Sequence, residues 1–454
     1  MIDLLVETMA QAGNQSPLPG PLVLDDWANL SDTSVAVEPL LEQVRSQLQH
    51  SMNASHPGYI GHMDSIPTTL SVVGDLLVAA LNNNMLSVEM SPVFSRLETL
   101  VLRQVAQLFG RGPQANCVLV SGGSLANLQA LIVARNVAFD ALETGIPPGQ
   151  TPVFLVSEVA HTSFKKAAMV MGLGTKAAIS VATNRNSQID LDDLVAKLNQ
   201  AKTAGQQPFA IVATAGTTVT GSIDPIAEMA AIAKSHQLWF HVDAAYGGAL
   251  MVSDRHRSQL AGIEQADSVT FNPQKWLYVA KTSAMVMFRQ FDLLQHHFRV
   301  LAPYMNEHSD WPNLGELTVQ GTRHADILKL WLSLQHIGRD GYSAIIDHNY
   351  ELTKVFTAAV KARSFLTLAS EPQMNLVCFR AELAGLAADQ QDRWNYQLQQ
   401  RLLKTGSTFL SLPVYRDQRW LKAVLLNPFT TIDQIHQLFS HIDSYYESHQ
   451  NAPT

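Results

Sequence analysis

Cysteine is nearly absent: Cys117 and Cys378 are the two in 454 residues, and they stand far apart. That pair supports neither a disulfide framework nor a thiolate zinc cluster, which fits a reducing compartment. Charge is scarce too, at 15% of residues against a usual share of roughly 25%. Hydrophobic residues nevertheless reach 46%, so intrinsic disorder is excluded. Lysine and arginine total 31 against 39 acids, a net charge of −8 with no basic cluster, and neither nucleic acid nor an anionic membrane is expected as a partner. No apolar run approaches the roughly 20 residues that cross a bilayer. The amino end, Met1 to Ala10, carries acids and lacks a basic n-region, so a cytoplasmic, soluble chain is expected. A length of 454 residues leaves room for two or three domains or one large enzyme subunit.

No internal repeat or low-complexity tract interrupts the chain. Residues 1–90 read as amphipathic helices around a loop, Ser55 to Ser65, whose Pro57, Gly58 and Gly61 oppose helix; helix resumes near Thr68 and runs to Asn82. From 91 to 341 the texture alternates. A helix around Phe94–Leu108 precedes short apolar runs at Cys117–Val120, Pro152–Val156, Phe209–Ala213, Leu238–Val242 and Ser268–Phe271. Amphipathic stretches at Leu125–Phe139, Leu191–Ala204 and Ile226–Ser235 fill the gaps. Short strands separated by helices predict an α/β fold with a mostly parallel central sheet. Residues 342–454 read as a smaller α+β domain, with β-like runs at Asn375–Phe379 and Leu421–Leu426, a helix near Asp392–Leu403, and a frayed end from Ser448.

Four features follow predicted strands, where open α/β sheets bind ligands. In Val120-Ser-Gly-Gly-Ser-Leu-Ala126, Gly122 and Gly123 admit an anion close to the backbone, and a helix starting at Ser124 turns free N–H groups toward a phosphate. A plain tight turn with Ser124 as N-cap would look the same. In His241-Val-Asp-Ala-Ala-Tyr246, Asp243 ends a strand and needs a partner. In Phe271-Asn-Pro-Gln-Lys-Trp276, Lys275 lies between Pro273 and Trp276; most lysines are solvated, but one held in an apolar pocket becomes a nucleophile able to form an imine. His161, after a fourth strand, is either a surface residue or a ring that stacks on a ligand. Together the four meet the needs of pyridoxal 5′-phosphate: a helix end for its phosphate, a lysine for its aldehyde, and a carboxylate that keeps its pyridine nitrogen protonated.

Over nearly its whole length the chain resembles the group II pyridoxal-phosphate-dependent amino-acid decarboxylases. The motifs are His56-Pro-Gly-Tyr-Ile-Gly61, Met90-Ser-Pro92 with Leu97 and Glu98, Ser121-Gly-Gly-Ser-Leu-Ala-Asn127, His161, Ala213-Thr-Ala-Gly-Thr-Thr218, His241 to Tyr246, Asn272 to Trp276, and Gly321 with Leu328-Lys-Leu-Trp331. The resemblance implies fold type I, the aspartate-aminotransferase-like architecture, and decarboxylation of an L-amino acid. It implies that Lys275 carries the cofactor, that Asp243 pairs with its ring nitrogen, that His161 and Ala245 cover its two faces with Thr214 nearby, and that Gly122, Gly123, Ser124 and Asn272 hold its phosphate. No metal is implied. It also implies a homodimer with the active site at the subunit interface and residues 1–90 docked on the partner, and a substrate pocket lined by the loop of His62, Met63 and Asp64. Asp64 would favour a substrate with a distal amine or hydroxyl over one with a second carboxylate.

The chain departs from the family pattern in three places. Gln274 stands where the family commonly has histidine, so a contact to the phosphate there is supplied differently. An arginine doublet is replaced by Gly321-Thr-Arg-His324. The mobile-loop tyrosine that returns a proton to the substrate is missing from residues 305–322, leaving His308 or Tyr304 as candidates. That gap keeps open an aldehyde-forming oxidative deamination or a transamination. A different class, serine hydrolysis through Ser124, is mimicked by the glycine-flanked turn, but Ala126 replaces the second glycine of that motif and Lys275 would be idle.

Overall fold

Strand runs that lack polar alternation are buried on both faces, as parallel sheets require. The computed structural model describes residues 2–24, 27–301, 310–405 and 407–450, and the chain divides into two compact units: 67–348, and 1–66 together with 349–454. In the first unit the described residues form a seven-stranded sheet from β1 (Asn116–Val120), β2 (Pro152–Ser157), β3 (Ala178–Val181), β4 (Gln207–Thr214), β5 (Trp239–Asp243), β6 (Ser268–Phe271) and β7 (Ala284–Phe288), in the order β1-β7-β6-β5-β4-β2-β3. The steps from β6 through β5, β4 and β2 to β3 are parallel, and helices Ser163–Val170, Leu191–Thr203 and Ile226–Ser235 lie in the connections.

Two strands escape the pattern of the sequence. β3 is a four-residue edge, Ala-Ile-Ser-Val, buried only at its two ends and too short to stand out. β7 is fully buried and pairs antiparallel with both β1 and β6. The stretch between β6 and β7 is taken up by the turn that carries Lys275, which leaves no length for the crossover a parallel partner needs. Because β7 is antiparallel to both neighbours, β1 and β6 run the same way. The carboxyl ends of β1, β2, β4, β5 and β6 therefore lie along one edge of the sheet.

The texture change at Tyr342 falls inside a helix, Ile327–Lys361, whose break is at Gly338 with φ of 67°. That backbone suits glycine alone among common residues. Tyr342 is buried and its hydroxyl donates to Leu277 O at 3.0 Å.

In the other unit, strands Leu366–Leu368, Leu376–Ala381 and Leu421–Val424 make an antiparallel sheet. Helices Ala388–Thr405 and Ile432–Gln450 accompany it, around a core that includes Phe356, Phe379, Trp394 and Phe439. Each such side chain contributes about 1.5–3 kcal/mol by its burial. The Ser55–Ser65 loop belongs to this unit: Tyr59 bridges Phe409, and Asn427 Nδ2 donates to the carbonyls of Ala54 (3.1 Å) and His56 (2.7 Å). The last helix continues through Ser448 to Gln450.

Candidate active site

Loops leaving one sheet edge converge by necessity. They enclose a cavity of about 160 Å³ lined by Gly123 and Ser124 after β1, His161 after β2, Thr214 at the end of β4, Asp243 and Ala245 at the end of β5, and Asn272 and Lys275 after β6. The acid and the lysine thus face one space. Gly122 and Gln274 are not among its lining residues. Gln274 instead turns its Oε1 onto Ser283 N–H, at 2.6 Å. His62, Met63 and Asp64 belong to the other unit, where Met63 is buried, Asp64 half-buried and His62 exposed against Phe409. Tyr304 and His308 lie outside the described residues.

The helix after β1 starts at Gly123, one residue earlier than the sequence suggests, with Gly122 rather than Ser124 in the N-cap position. Leu125 and Ala126 N–H both donate to Gly122 O, at 3.0 and 3.1 Å. The N–H groups of Gly123 and Ser124 precede those bonds and are the orphan donors of the first turn, aligned with the positive end of the dipole. A Cβ on Gly123 would come within 2.8 Å of Asn272 Nδ2, so only glycine lets this turn close against the loop after β6.

Lys275 sits in a tight turn, its N–H donating to Asn272 O at 3.0 Å. The next residue, Trp276, is fully buried and stacks on Tyr246 with centroids 4.9 Å apart. This anchors the turn. The carboxylate of Asp243 is held at both oxygens: Ala245 N–H donates to Oδ1 at 3.1 Å and Asn127 Nδ2 to Oδ2 at 2.9 Å. His161 accepts the N–H of Ser163 on Nδ1 at 3.1 Å, so its neutral ring carries the proton on Nε2. Although exposed by area, the ring is crowded enough at the cavity wall that desolvation lowers its pKa. Lys275 and Lys166 lower it further and Asp243 opposes them. Thr214 is fixed through its backbone, whose N–H donates to Asp224 Oδ2 at 2.7 Å.

Two buried polar atoms at the cavity, Thr214 Oγ1 and Asn272 Oδ1, have no hydrogen-bond partner within the described protein. Buried polar groups are ordinarily satisfied, so these call for a polar ligand. Orphan amides, an anchored amine and a doubly held carboxylate are the donor set that pyridoxal 5′-phosphate needs, and the residues fit it. Elsewhere in the same unit Asp75, His324 and Asp326 approach one another, but the buried ammonium of Lys329 lies 2.8 Å from both carboxylates and already occupies them as their cation.

Asn127, Gly216, Thr218 and Tyr246, which the sequence motifs contain without a role of their own, also line the cavity. Asn127 had a signal, since it lies three and four residues beyond Ser124 and Gly123 and so on their helix face. His241, two residues before Asp243 on the same strand face, had one as well.

The family described as "pyridoxal-dependent decarboxylase conserved domain" matches residues 21–382. An L-2,4-diaminobutyrate decarboxylase of Rhizobium meliloti is 32% identical over 424 residues, covering 92% of this chain and 84% of that protein. Among solved structures, mouse CSAD is 26% identical with a TM-score of 0.92, covering 98% of this chain and 96% of its own. The glutamate decarboxylase domain of a diaminobutyrate-pyruvate transaminase and L-2,4-diaminobutyrate decarboxylase from Vibrio parahaemolyticus is also 26% identical, with a TM-score of 0.85, covering 98% and 95%.

Proposed function

Since the chain belongs to the pyridoxal-dependent decarboxylase family and is a pyridoxal 5′-phosphate-dependent enzyme converting an L-amino acid to its amine and carbon dioxide, we propose that its substrate is a short L-amino acid with a second, distal amine, of the 2,4-diaminobutyrate kind. The observation that carries this reading is the 32% identity, across 92% of the chain, to an enzyme named for that substrate. Asp64 adds to it, as the acid in the loop assigned to the substrate side chain, where it would attract a distal ammonium and repel a second carboxylate. The family speaks for decarboxylation and not for hydrolysis at Ser124, transamination or aldehyde formation.

Once bound, the cofactor supplies an electron sink for the pair released when the Cα–carboxylate bond breaks. The protein's part is positional. Lys275 would provide the anchoring amine, the Gly123 and Ser124 amides with Asn272 would hold the phosphate, and Asp243 would keep a proton on the ring nitrogen. His161, neutral at pH 7, and Ala245 would cover the ring, with Thr214 beside them. A fixed orientation of the substrate in the cavity would select loss of carbon dioxide over loss of the α-proton. The exposed apolar side chains of helix Thr69–Leu81 and of Ile2–Ala10 support assembly as a homodimer. A cytoplasmic location accords with two unpaired buried cysteines.

The test is carbon dioxide release from a panel of L-amino acids by the wild type and by Asp64→Ala. L-2,4-diaminobutyrate should be preferred, and the variant should lose about tenfold or more of that preference, the scale of one charge-assisted interaction. A wild type that works best on glutamate or tryptophan would overturn the substrate reading. Borohydride reduction should fix the cofactor on Lys275.

A further inference from the structure

The carboxylate of Asp243 does not stand alone. Behind it runs a line of four polar side chains from three elements, all buried: Asn127 on the helix after β1, His241 on β5, Ser268 on β6 and Trp239 at the start of β5. Hydrogen-bond accounting fixes the direction of every link. Trp239 Nε1 can only donate, so Ser268 Oγ accepts from it, at 2.8 Å. At the other end, the Asn127 nitrogen reaches Asp243 Oδ2 at 2.9 Å and Ser163 Oγ at 3.0 Å. A carboxylate accepts only, so that atom is the amide nitrogen and Asn127 Oδ1 points the other way.

His241 Nε2 lies 3.1 Å from Asn127 Oδ1 and must therefore carry a proton. Its Nδ1 lies 2.8 Å from Ser268 Oγ, whose remaining proton fills that gap if the ring is neutral. Burial lowers the pKa of this ring to about 4, with Asp243 raising it and Arg111 lowering it; Phe164 packs edge-on at 6.1 Å. Each donor then meets an acceptor from Trp239 to Asp243. The opposite tautomer would set the Nε2 lone pair against Asn127 Oδ1. A flipped amide would set Oδ1 against the carboxylate.

We infer that Asn127 is a positioning residue for the cofactor, locked by neutral His241 with its amide nitrogen on Asp243, and that this lock keeps the Asp243 carboxylate oriented toward the ring nitrogen. Each oxygen of the carboxylate is held by one N–H, from Ala245 and from Asn127, and the two bonds together fix its plane. Without the Asn127 bond the carboxylate can rotate out of line with the ring nitrogen. This inference rests on the reading that Asp243 faces that nitrogen, and the test separates the two.

Full-length protein is equilibrated with graded pyridoxal 5′-phosphate, and the dissociation constant is read from visible absorption. Asn127→Leu should weaken binding about tenfold to a hundredfold, the range for a hydrogen bond to a charged group. His241→Phe should act in the same direction, His241→Gln, which keeps a donor near the Nε2 position, should bind within about threefold of wild type, and the Asn127→Leu/His241→Phe double variant should add less than about twofold to the worse single change. With ¹⁵N-labelled cofactor, Asn127→Leu should move the ring-nitrogen resonance toward neutral pyridine, a change that loss of packing alone does not produce. Ser268→Ala, outside the cavity wall, gives a weaker effect of the same sign and serves if Asn127→Leu does not fold. If Asp243→Ala binds poorly while Asn127→Leu or Ser268→Ala matches wild type in affinity and resonance, the lock is wrong and the Asp243 reading stands. If Asp243→Ala itself binds normally, both fall.

Discussion

Asp224 and His241, buried behind the cavity, pull the stability of the chain in opposite directions with pH. Burial raises the Asp224 carboxyl from 3.8 to about 6, against the hydrogen bonds from Ile189 and Thr214 N–H that lower it. The folded chain then holds this proton more tightly than the unfolded chain, so the stability it confers is full below about pH 4 and lost as pH rises through 6. Burial lowers His241 from 6.5 to about 4. Here the unfolded chain holds the proton more tightly, and stability present above about pH 6.5 is lost as pH falls toward 4. Melting temperatures measured between pH 4 and 6.5 should reveal both slopes: the wild-type value minus that of Asp224→Asn should fall as pH rises, and the value minus that of His241→Gln should climb. A flat difference for either variant would show that its residue does not titrate in the folded chain as described. The consequence reaches the site, because Asp224 holds Thr214 and His241 holds Asn127.

At the scale of elements, the turn after β1 is braced by an ion pair that the motifs Leu97-Glu98 and Gly321-Thr-Arg-His324 foreshadow without explaining. Glu98, fully buried on helix Pro92–Leu108, accepts from Arg323 Nη1 at 3.1 Å and from Leu119 N–H on β1 at 3.1 Å, while the same Nη1 donates to Leu119 O at 2.8 Å. Burial raises the Glu98 pKa and Arg323 counters it. Nearby, Gln320 Oε1 accepts Ser121 N–H at 3.1 Å and Gln129 Nε2 donates to Leu317 O at 2.8 Å. The segment 314–324 thus clamps β1 and the helix whose first amides face the cavity. Removing one partner of a buried pair strands the other charge, so Arg323→Leu should cost about 3–5 kcal/mol in a denaturant titration, and Arg323→Leu with Glu98→Leu markedly less. A single variant within 1 kcal/mol of wild type, the scale of an exposed pair, would remove the brace.

For the whole molecule, the apolar exposure on helix Thr69–Leu81 is the feature an isolated chain leaves unexplained: Val73, Leu76, Leu77 and Leu81 are 43–59% exposed. Surfaces of this kind mark interfaces. Sedimentation should find the wild type at twice the chain mass and Leu76→Glu/Leu77→Glu at the chain mass; a wild type that sediments as a single chain removes the homodimer. The sequence alone determined the alternation of strand and helix, since periods of 2 and 3.6 are local, and it determined which residue types follow the strands, since chemistry such as that of Lys275 and Asp243 is carried by type. What it left open depends on partners distant along the chain. The direction of β7 follows from the short turn that holds Lys275, the bond from Asn127 to Asp243 spans 116 residues, and the Ser55–Ser65 loop takes its partners from residues beyond 400. Only the folded units bring such groups within hydrogen-bond reach, because a side chain's donors and acceptors answer to distance and angle in space and not to separation along the chain.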